Sequence, residues 1–531
     1  MSITSARRRS KDTDLKGGAR GNSRPLSASV RRGALWSVAS TLLLRLTSIA
    51  VTAVVAHILN PRDFGVFAVA LTAYAIVSAL GGLGVASCLI RADLDMDSLA
   101  PTMATVSLTT SAILAGAMAA FAIPIATALG SAAASGPVRV MALAVMLAGV
   151  FAVPGAQLVR DFKQDKLFLS NLISFVPSTL VLLLLAKSGS GAMAFAWSRV
   201  VGQLISGCVL LISVPKIYRP GFARDALSLL FRFGIPLAAA NFINYILLNV
   251  DYALVGHFMG AVALGTYVLA FNVASWPSTL LSAMINNVSM PAFSRVKHDS
   301  LLLNDAIVSS LRGLSLVVMP FCGLIMVLAR PLVLTLYGPK WIASAEVLSV
   351  LSVYSVISII CVLCANILAA VGRTKFLFVV QLIWLSALAP AMVLGVHLDG
   401  IVGAAFAHIA VIVPVVLPSY LFALKKTTGV RFTALAKAVL SSILAASAAA
   451  LAAKGASSLF DNAFVELITG LTVGCLTYVI FVAPQAIALL DRRQSTKLLR
   501  VLRLYTAAGR LIGLPVGNRP KHSVRSIRRR A

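Results

Sequence analysis

Apolar runs of about 18 or more residues recur along this chain, each separated from the next by a short polar loop. Such a run matches the hydrocarbon thickness of a bilayer when wound into one helix. Inside lipid the backbone must satisfy its own hydrogen bonds, which leaves helices and closed barrels as the spanning structures. Composition agrees, since 59% of the 531 residues are apolar and 12% charged, against roughly 45–50% and about 25% in soluble domains. The mean hydropathy is +0.93. The chain therefore reads as an all-α integral membrane protein. At about 20 residues per crossing, fourteen helices are expected, at 34–58, 65–90, 101–124, 138–158, 167–186, 191–214, 228–256, 263–289, 303–329, 346–370, 376–396, 401–424, 434–453 and 463–489.

The charged loops orient these spans. Most of the 46 Lys and Arg residues fall in tails and loops on one side, and Arg62, Lys187, Arg330, Lys340 and Lys454 fall in loops on the other. Basic residues are retained on the cytoplasmic side, so both termini are expected in the cytoplasm. A net charge of +29 would suit a nucleic-acid partner if it were spread over a soluble surface. Here much of it sits in two tails, residues 1–33 and 490–531, which read as topology determinants and contacts to anionic lipids, with no nucleic acid implied. All six cysteines lie in apolar runs, and the Cys361-x-x-Cys364 pair lacks a second pair or a βαβ context for redox or metal work.

An internal repeat divides the helices. "HILNPRDFG" places His57 and Gly65 at the first turn between crossings, and "HFMGAVALG" places His257 and Gly265 at the turn between the seventh and eighth. "DKLF" before helix five corresponds to "TKFLF" before helix eleven, and "GAMAFAW" to "VGAAFAH", at offsets that grow from 200 to 211 residues. Two parallel pseudo-symmetric six-helix lobes follow, of the kind whose substrates bind between the halves near the midplane. The expected organisation is an N-lobe at 34–214, a cytoplasmic linker at 215–227, a C-lobe at 228–424 and two further helices within 434–489.

Polar groups deep in the membrane are candidates for function, because a charge there is expensive unless it faces a cavity or a partner. Arg45 lies about 18 Å into the first helix, at 1.5 Å per residue from Gly33. Its face also carries Thr41, Ser48 and Thr52. Helix six carries Arg199 and Gln203 in the same manner, and the two arginines could line one cationic cavity. The second half offers Asn241, Asn244 and Asp251 on helix seven, and Asn272, Thr279 and Asn286 on helix eight. Their amides and hydroxyls suit sugar hydroxyls or bonds between helices. Arg232 and Arg312 lie near cytoplasmic helix ends, where they either snorkel or guard an entrance. Asp251 is a candidate for ion coupling, or a carboxylate paired at the outer mouth; His57, His257 and His408 read as helix-end or packing residues. No catalytic constellation, phosphate-binding loop or metal-ligand cluster is visible, so neither a cofactor nor an enzymatic reaction is expected.

"GALWSVASTLLLRLTSIAVTAVVAHILNPRDFGVFAVA", "NVDYALVGHFMGAVALGTYVLAFNV" with "PAFSRVKHD", "LYGPKWIASAEVLSVLSVYS" and "ANILAAVGRTKFLF" occur in this order. Together they resemble bacterial oligosaccharide flippases of the multidrug/oligosaccharidyl-lipid/polysaccharide exporter superfamily, over about residues 33–425. The resemblance implies a two-lobed bundle with a central cationic cavity in the bacterial inner membrane. Its implied substrate is an oligosaccharide on a polyprenyl pyrophosphate, exported for exopolysaccharide or O-antigen synthesis beside a polymerase and export machinery. Intramembrane arginines facing the pyrophosphate fit Arg45 and Arg199 in kind, and the last two helices fit a groove for the lipid tail. A cation-coupled multidrug exporter of the same fold would put acids where these arginines stand. A lipid II flippase shares the charge pattern, and the short outer loops disfavour a polymerase or glycosyltransferase.

Overall fold

The computed structural model describes residues 46–81, 85–90, 95–230, 235–279, 293 and 299–490. Both basic tails lie outside them. The chain divides into two compact units, Met1–Ala50 and Val51–Ala531. In the first, the described residues 46–50 are helical.

Among the described residues every regular element is a helix. An apolar helix, α1, spans Leu46–Ile58. It is followed by α2 (Pro61–Gly81), α3 (Val85–Ile90), α4 (Met96–Ala120), α5 (Ala122–Ala128), α6 (Ser135–Arg160), α7 (Gln164–Lys187), α8 (Ala192–Ser213) and α9 (Arg224–Leu229). Next come α10 (Ile235–Ala274) and the helical residues 276–279, α11. The chain continues with α12 (Ser300–Val327), α13 (Ala329–Tyr337), α14 (Ala343–Ala370), α15 (Thr374–Val411), α16 (Leu417–Thr428), α17 (Phe432–Ser457) and α18 (Ala463–Leu490). Eleven helical stretches among the described residues are long and apolar enough to cross a membrane.

Local chemistry sets the helix ends. Asp95 accepts from the N–H groups of Asp97 and Ser98 at 3.3 and 3.2 Å, and Asp299 caps α12 through Leu301 and Leu302 at 3.0 and 3.1 Å. Each carboxylate satisfies amides that the first turn leaves without partners. Proline opens α2, where its missing N–H removes nothing. The second helix was expected to begin at Gly65. It begins instead at Pro61, so Gly65 lies inside a helix rather than in a turn.

Two helices fold back on themselves. α10 contains Gly260 at φ 77°, ψ −177°, and the Tyr267 hydroxyl beyond it lies 3.5 Å from the Asp251 carboxylate before it. Sixteen residues of straight helix would hold those positions about 24 Å apart. α15 breaks at Asp399 and Gly400, the latter at φ 56°. Gly395 and Gly403, about 12 Å apart on a straight helix, face each other so closely that a Cβ on either would overlap the other's carbonyl oxygen.

Packing depends on small residues, because lipid supplies no hydrophobic drive between helices. The Ser107 hydroxyl of α4 donates to the Gly149 carbonyl of α6 at 3.0 Å, Phe151 of α6 lies on Gly207 of α8, and Gly470 and Gly474 seat α18 against α12 and α17. The closest approach joins α2 to α10, where Gly65 meets Ala261 and Gly265 meets Pro61 backbone to backbone. α2 and α6 are central, 56% of each apolar window being buried, whereas the α7 window is 11% buried and faces outward.

At the Asp97 end the segment after α8 is pinned to α4. Lys216 Nζ and the Tyr218 hydroxyl both donate to Asp97 Oδ1, at 2.8 and 2.6 Å, and Ala223 N–H donates to the Thr102 hydroxyl at 2.8 Å. Burial, then the Asp97 carboxylate, push the Tyr218 phenol up to about 12, so it remains a donor across the physiological range.

Gly65→Ile and Gly265→Ile should each lower the thermal midpoint of the purified protein, since overpacking costs about 1–3 kcal/mol and the facing atoms here are backbone. Gly116, which has open space where a Cβ would stand, should accept alanine without loss.

Candidate functional site

The residues expected to line a cavity are not all among those described. Thr41, Arg45, Arg232 and Asn286 lie outside them; Asn241 and Asn244 lie on the first arm of α10, with only their backbone described. Arg199 on α8 is exposed, and its guanidinium carbon stands 5.5 Å from the ring centroid of Tyr74 on α2. A cation over an aromatic face is held by the ring quadrupole, which fixes the charge against the central helix. Gln203, one turn further, is half-buried, as is Ser48 on α1. The Asn272 amide and Thr279 hydroxyl donate to carbonyls of their own helical segment, at 2.9 Å to Val268 and 3.0 Å to Ser275. Arg312 is exposed on α12.

Asp251 occupies a different environment. It is 2% exposed and lies between the two back-folded helices. One carboxylate oxygen accepts from Tyr252 N–H at 2.9 Å. The other faces the Tyr267 hydroxyl at 3.5 Å and His408 Nε2 at 3.7 Å. Tyr267 and His408 are themselves 3.0 Å apart. Tyr354 stacks at a tilt 4.6 Å from the imidazole, and Phe271 and Tyr252 complete an aromatic wall. His408 Nδ1 is buried without a hydrogen-bond partner.

The hydrogen bonds of this arrangement depend on which ring nitrogen of His408 carries a proton. With neutral His408 carrying its proton on Nδ1, Nε2 accepts the single Tyr267 hydroxyl proton and Asp251 loses that donor. With a proton on Nε2, in the other neutral tautomer or in the imidazolium, Nε2–H becomes a donor and frees the Tyr267 hydroxyl to turn to Asp251. A buried carboxylate is stable only when paired or neutralised, and here Tyr252 N–H, the Tyr267 hydroxyl and His408 Nε2 surround it.

The second feature is a clamp at the His57 end. The last turn of α1 leaves carbonyls without helical partners. Lys340 Nζ donates to the His57 and Leu59 carbonyls, each at 2.8 Å, and Trp341 Nε1 donates to Ala56 at 3.0 Å. A cation at a helix C-terminus also meets the negative end of the helix dipole. Desolvation holds the Lys340 ammonium below the usual lysine range, with Asp63 opposing. A counterpart lies 200 residues on in His257, whose Nδ1 is 2.7 Å from the Ala128 carbonyl. The neighbouring Gly256 packs on Gly130 backbone to backbone. Gly130 and Gly338, in the two receiving turns, have φ 96° and 88°.

The profile of the family described as "Polysaccharide biosynthesis protein" matches residues 54–346. The chain belongs to this family. It is 25% identical over 477 residues to the succinoglycan biosynthesis transport protein ExoT of Rhizobium meliloti (strain 1021), covering 87% of this chain and 94% of that one. It is 24% identical to the lipopolysaccharide biosynthesis protein WzxC of Escherichia coli (strain K12), covering 75% and 81%. Among solved structures, the lipid II flippase MurJ in its inward closed conformation superposes with a TM-score of 0.69 at 14% identity, over 86% of this chain and all of that one. An inward-facing multidrug transporter of the MATE family superposes at 0.57 and 14% identity, over 72% and 94%. At such identities the likeness is one of fold.

For a member of this family, the clamp and the buried cluster hold side chains that the sequence did not single out. His408 had read as a helix-end or packing residue. Lys340 stood out only as a basic residue on the sparsely charged side, which was a usable signal.

Combining Lys340→Met with Trp341→Phe should open the His57 end. In a background without native cysteines, Ala56→Cys should then react at least about tenfold faster with a water-soluble maleimide, because about 1.4 kcal/mol shifts an opening equilibrium by that factor.

Proposed function

We propose that this protein is a flippase that moves polyprenyl-pyrophosphate-linked oligosaccharide repeat units from the cytoplasmic to the periplasmic leaflet of the bacterial inner membrane by alternating access, for exopolysaccharide or O-antigen-type polysaccharide synthesis. The observation that carries this reading is the similarity to a succinoglycan biosynthesis transport protein along nearly the full length of both chains. The fold shared with a lipid II flippase structure supports a lipid-linked substrate. We further infer fourteen crossings with both termini cytoplasmic, counting α1 as one and each back-folded helix as two. Six-helix lobes at 34–214 and 228–424 would rock about the α2–α10 contact, and the clamp at the His57 end would be the closed periplasmic gate.

In this reading Arg45 and Arg199 meet the pyrophosphate, whose charge needs cationic partners in a low-dielectric site. Thr41, Ser48, Gln203 and the asparagines Asn241, Asn244, Asn272 and Asn286, with Thr279, line the passage, while Arg232 and Arg312 stand at the cytoplasmic entrance. The Asp251–Tyr267–His408 cluster carries the coupling proton, since its bonding pattern changes with one protonation and it lies between the arms that would move.

Deleting the gene in a strain with no second exporter for the same polymer should abolish the surface polysaccharide and accumulate its lipid-linked precursor; normal polymer without accumulation would sink the reading. Arg199→Ala and Arg45→Ala should each reduce export with normal membrane levels of protein. Asp251→Asn and His408→Gln should cut export by about tenfold or more, given what an orphaned partner in a buried pair costs. The residual export should no longer respond to an uncoupler that arrests the wild type.

A further inference from the structure

Five basic residues lie on the side where such residues are sparse. Lys340 has its explanation in the clamp. Arg330 and Lys454, 124 residues apart in sequence, come together. With Glu346 they line a cavity of about 550 Å³ formed where α12, α13, α14 and α17 end or begin. All three side chains are exposed, and none forms an ion pair with another, although opposite charges share one cavity. The rest of the wall is largely apolar, with Met326, Val327, Ile342 and Ala345. Ser349 ties α14 to α12 there through a 3.0 Å bond to the Met326 carbonyl.

We propose that this cavity binds the headgroup of a phospholipid that carries both a phosphodiester and an ammonium, as in phosphatidylethanolamine. Two cations and one carboxylate present a pattern that such a headgroup satisfies group by group. The phosphate lies between Arg330 and Lys454, which offer charge-assisted donors, and the ammonium meets Glu346. A purely anionic ligand would leave Glu346 opposing it, and a neutral sugar would leave both cations unused. The position at the ends of membrane-crossing helices sets the charges at headgroup depth, with Met326 and Val327 in the last turn of α12 just before Arg330. The same headgroup chemistry occurs in soluble phosphoethanolamine, but that molecule has no acyl part to meet Met326 and Val327. The site adjoins the Pro339–Trp341 turn of the clamp, so an occupant would brace the connection that holds α1. The assignment does not rest on the flippase reading.

The test uses the full chain purified in a neutral detergent, with thermal midpoint and retained lipid by native mass spectrometry as readouts. Dioleoyl phosphatidylethanolamine, dioleoyl phosphatidylglycerol and O-phosphoethanolamine are added separately at equal concentration. Phosphatidylethanolamine should be retained preferentially and raise the midpoint most, and O-phosphoethanolamine should do neither. Glu346→Gln should abolish the preference over phosphatidylglycerol, and Arg330→Gln with Lys454→Gln should lower retention of both lipids. The expected change is up to roughly fivefold for each exposed charge contact. These positions are exposed, so the variants should fold, which their midpoints without lipid check directly. Equal retention of the two lipids by the unaltered protein, unchanged preference in Glu346→Gln, or equal stabilisation by O-phosphoethanolamine would each overturn the proposal.

Discussion

Two helices meet where neither has a side chain. Gly65 of α2 and Gly265 of α10 allow backbone against backbone, and the rest of the His57 end is built around that proximity. Phe64, next to the glycine, fits edge-on between Phe195 and Trp341, at ring-centroid distances of 4.9 and 4.8 Å. Trp341 in turn reaches the Ala56 carbonyl, and Lys340 beside it closes the end of α1. A side chain at either glycine would separate the helices by more than these bonds can stretch. The contact is thus both a packing device and the condition for the clamp.

The same economy of side chains produces the buried cluster. Gly260 and Gly400, each at positive φ, reverse α10 and α15, and the reversals bring Asp251, Tyr267 and His408 to one point. On straight helices these groups would be distributed along the bilayer normal with no common neighbour. Folded back, they place one hydroxyl between two acceptors, His408 Nε2 and an Asp251 oxygen, inside an aromatic wall. The contacts of this cluster span both arms of α10 and the second arm of α15.

Charge near the membrane follows a comparable logic, in that several basic side chains outside the tails have a specific neighbour. Arg199 lies over Tyr74, Lys216 on Asp97, Lys340 on the end of α1, and Arg330 and Lys454 on a shared cavity with Glu346. The first of these was legible as a deep arginine. The others were legible only as charges in loops, because a loop position says nothing about which helix end it will meet.

Hydropathy, by itself, determined that the chain is helical and crosses a membrane, since lipid leaves a long apolar segment no other way to satisfy its backbone. The repeated His–Gly spacing marked Gly65 and Gly265 and the two turns beside them, but not their purpose: periodicity shows that a position recurs, not what it touches. Asp251 was recognisable because a lone acid in an apolar run is costly wherever it lies. Its partners were not, because Tyr267 and His408 are separated from it by 16 and 157 residues and look like ordinary aromatic and helix-end residues in sequence. Only the tertiary structure brought the three together and joined Lys340 to α1. Contacts across folded-back helices depend on where each glycine reverses the chain, and a hydropathy profile carries no record of that direction.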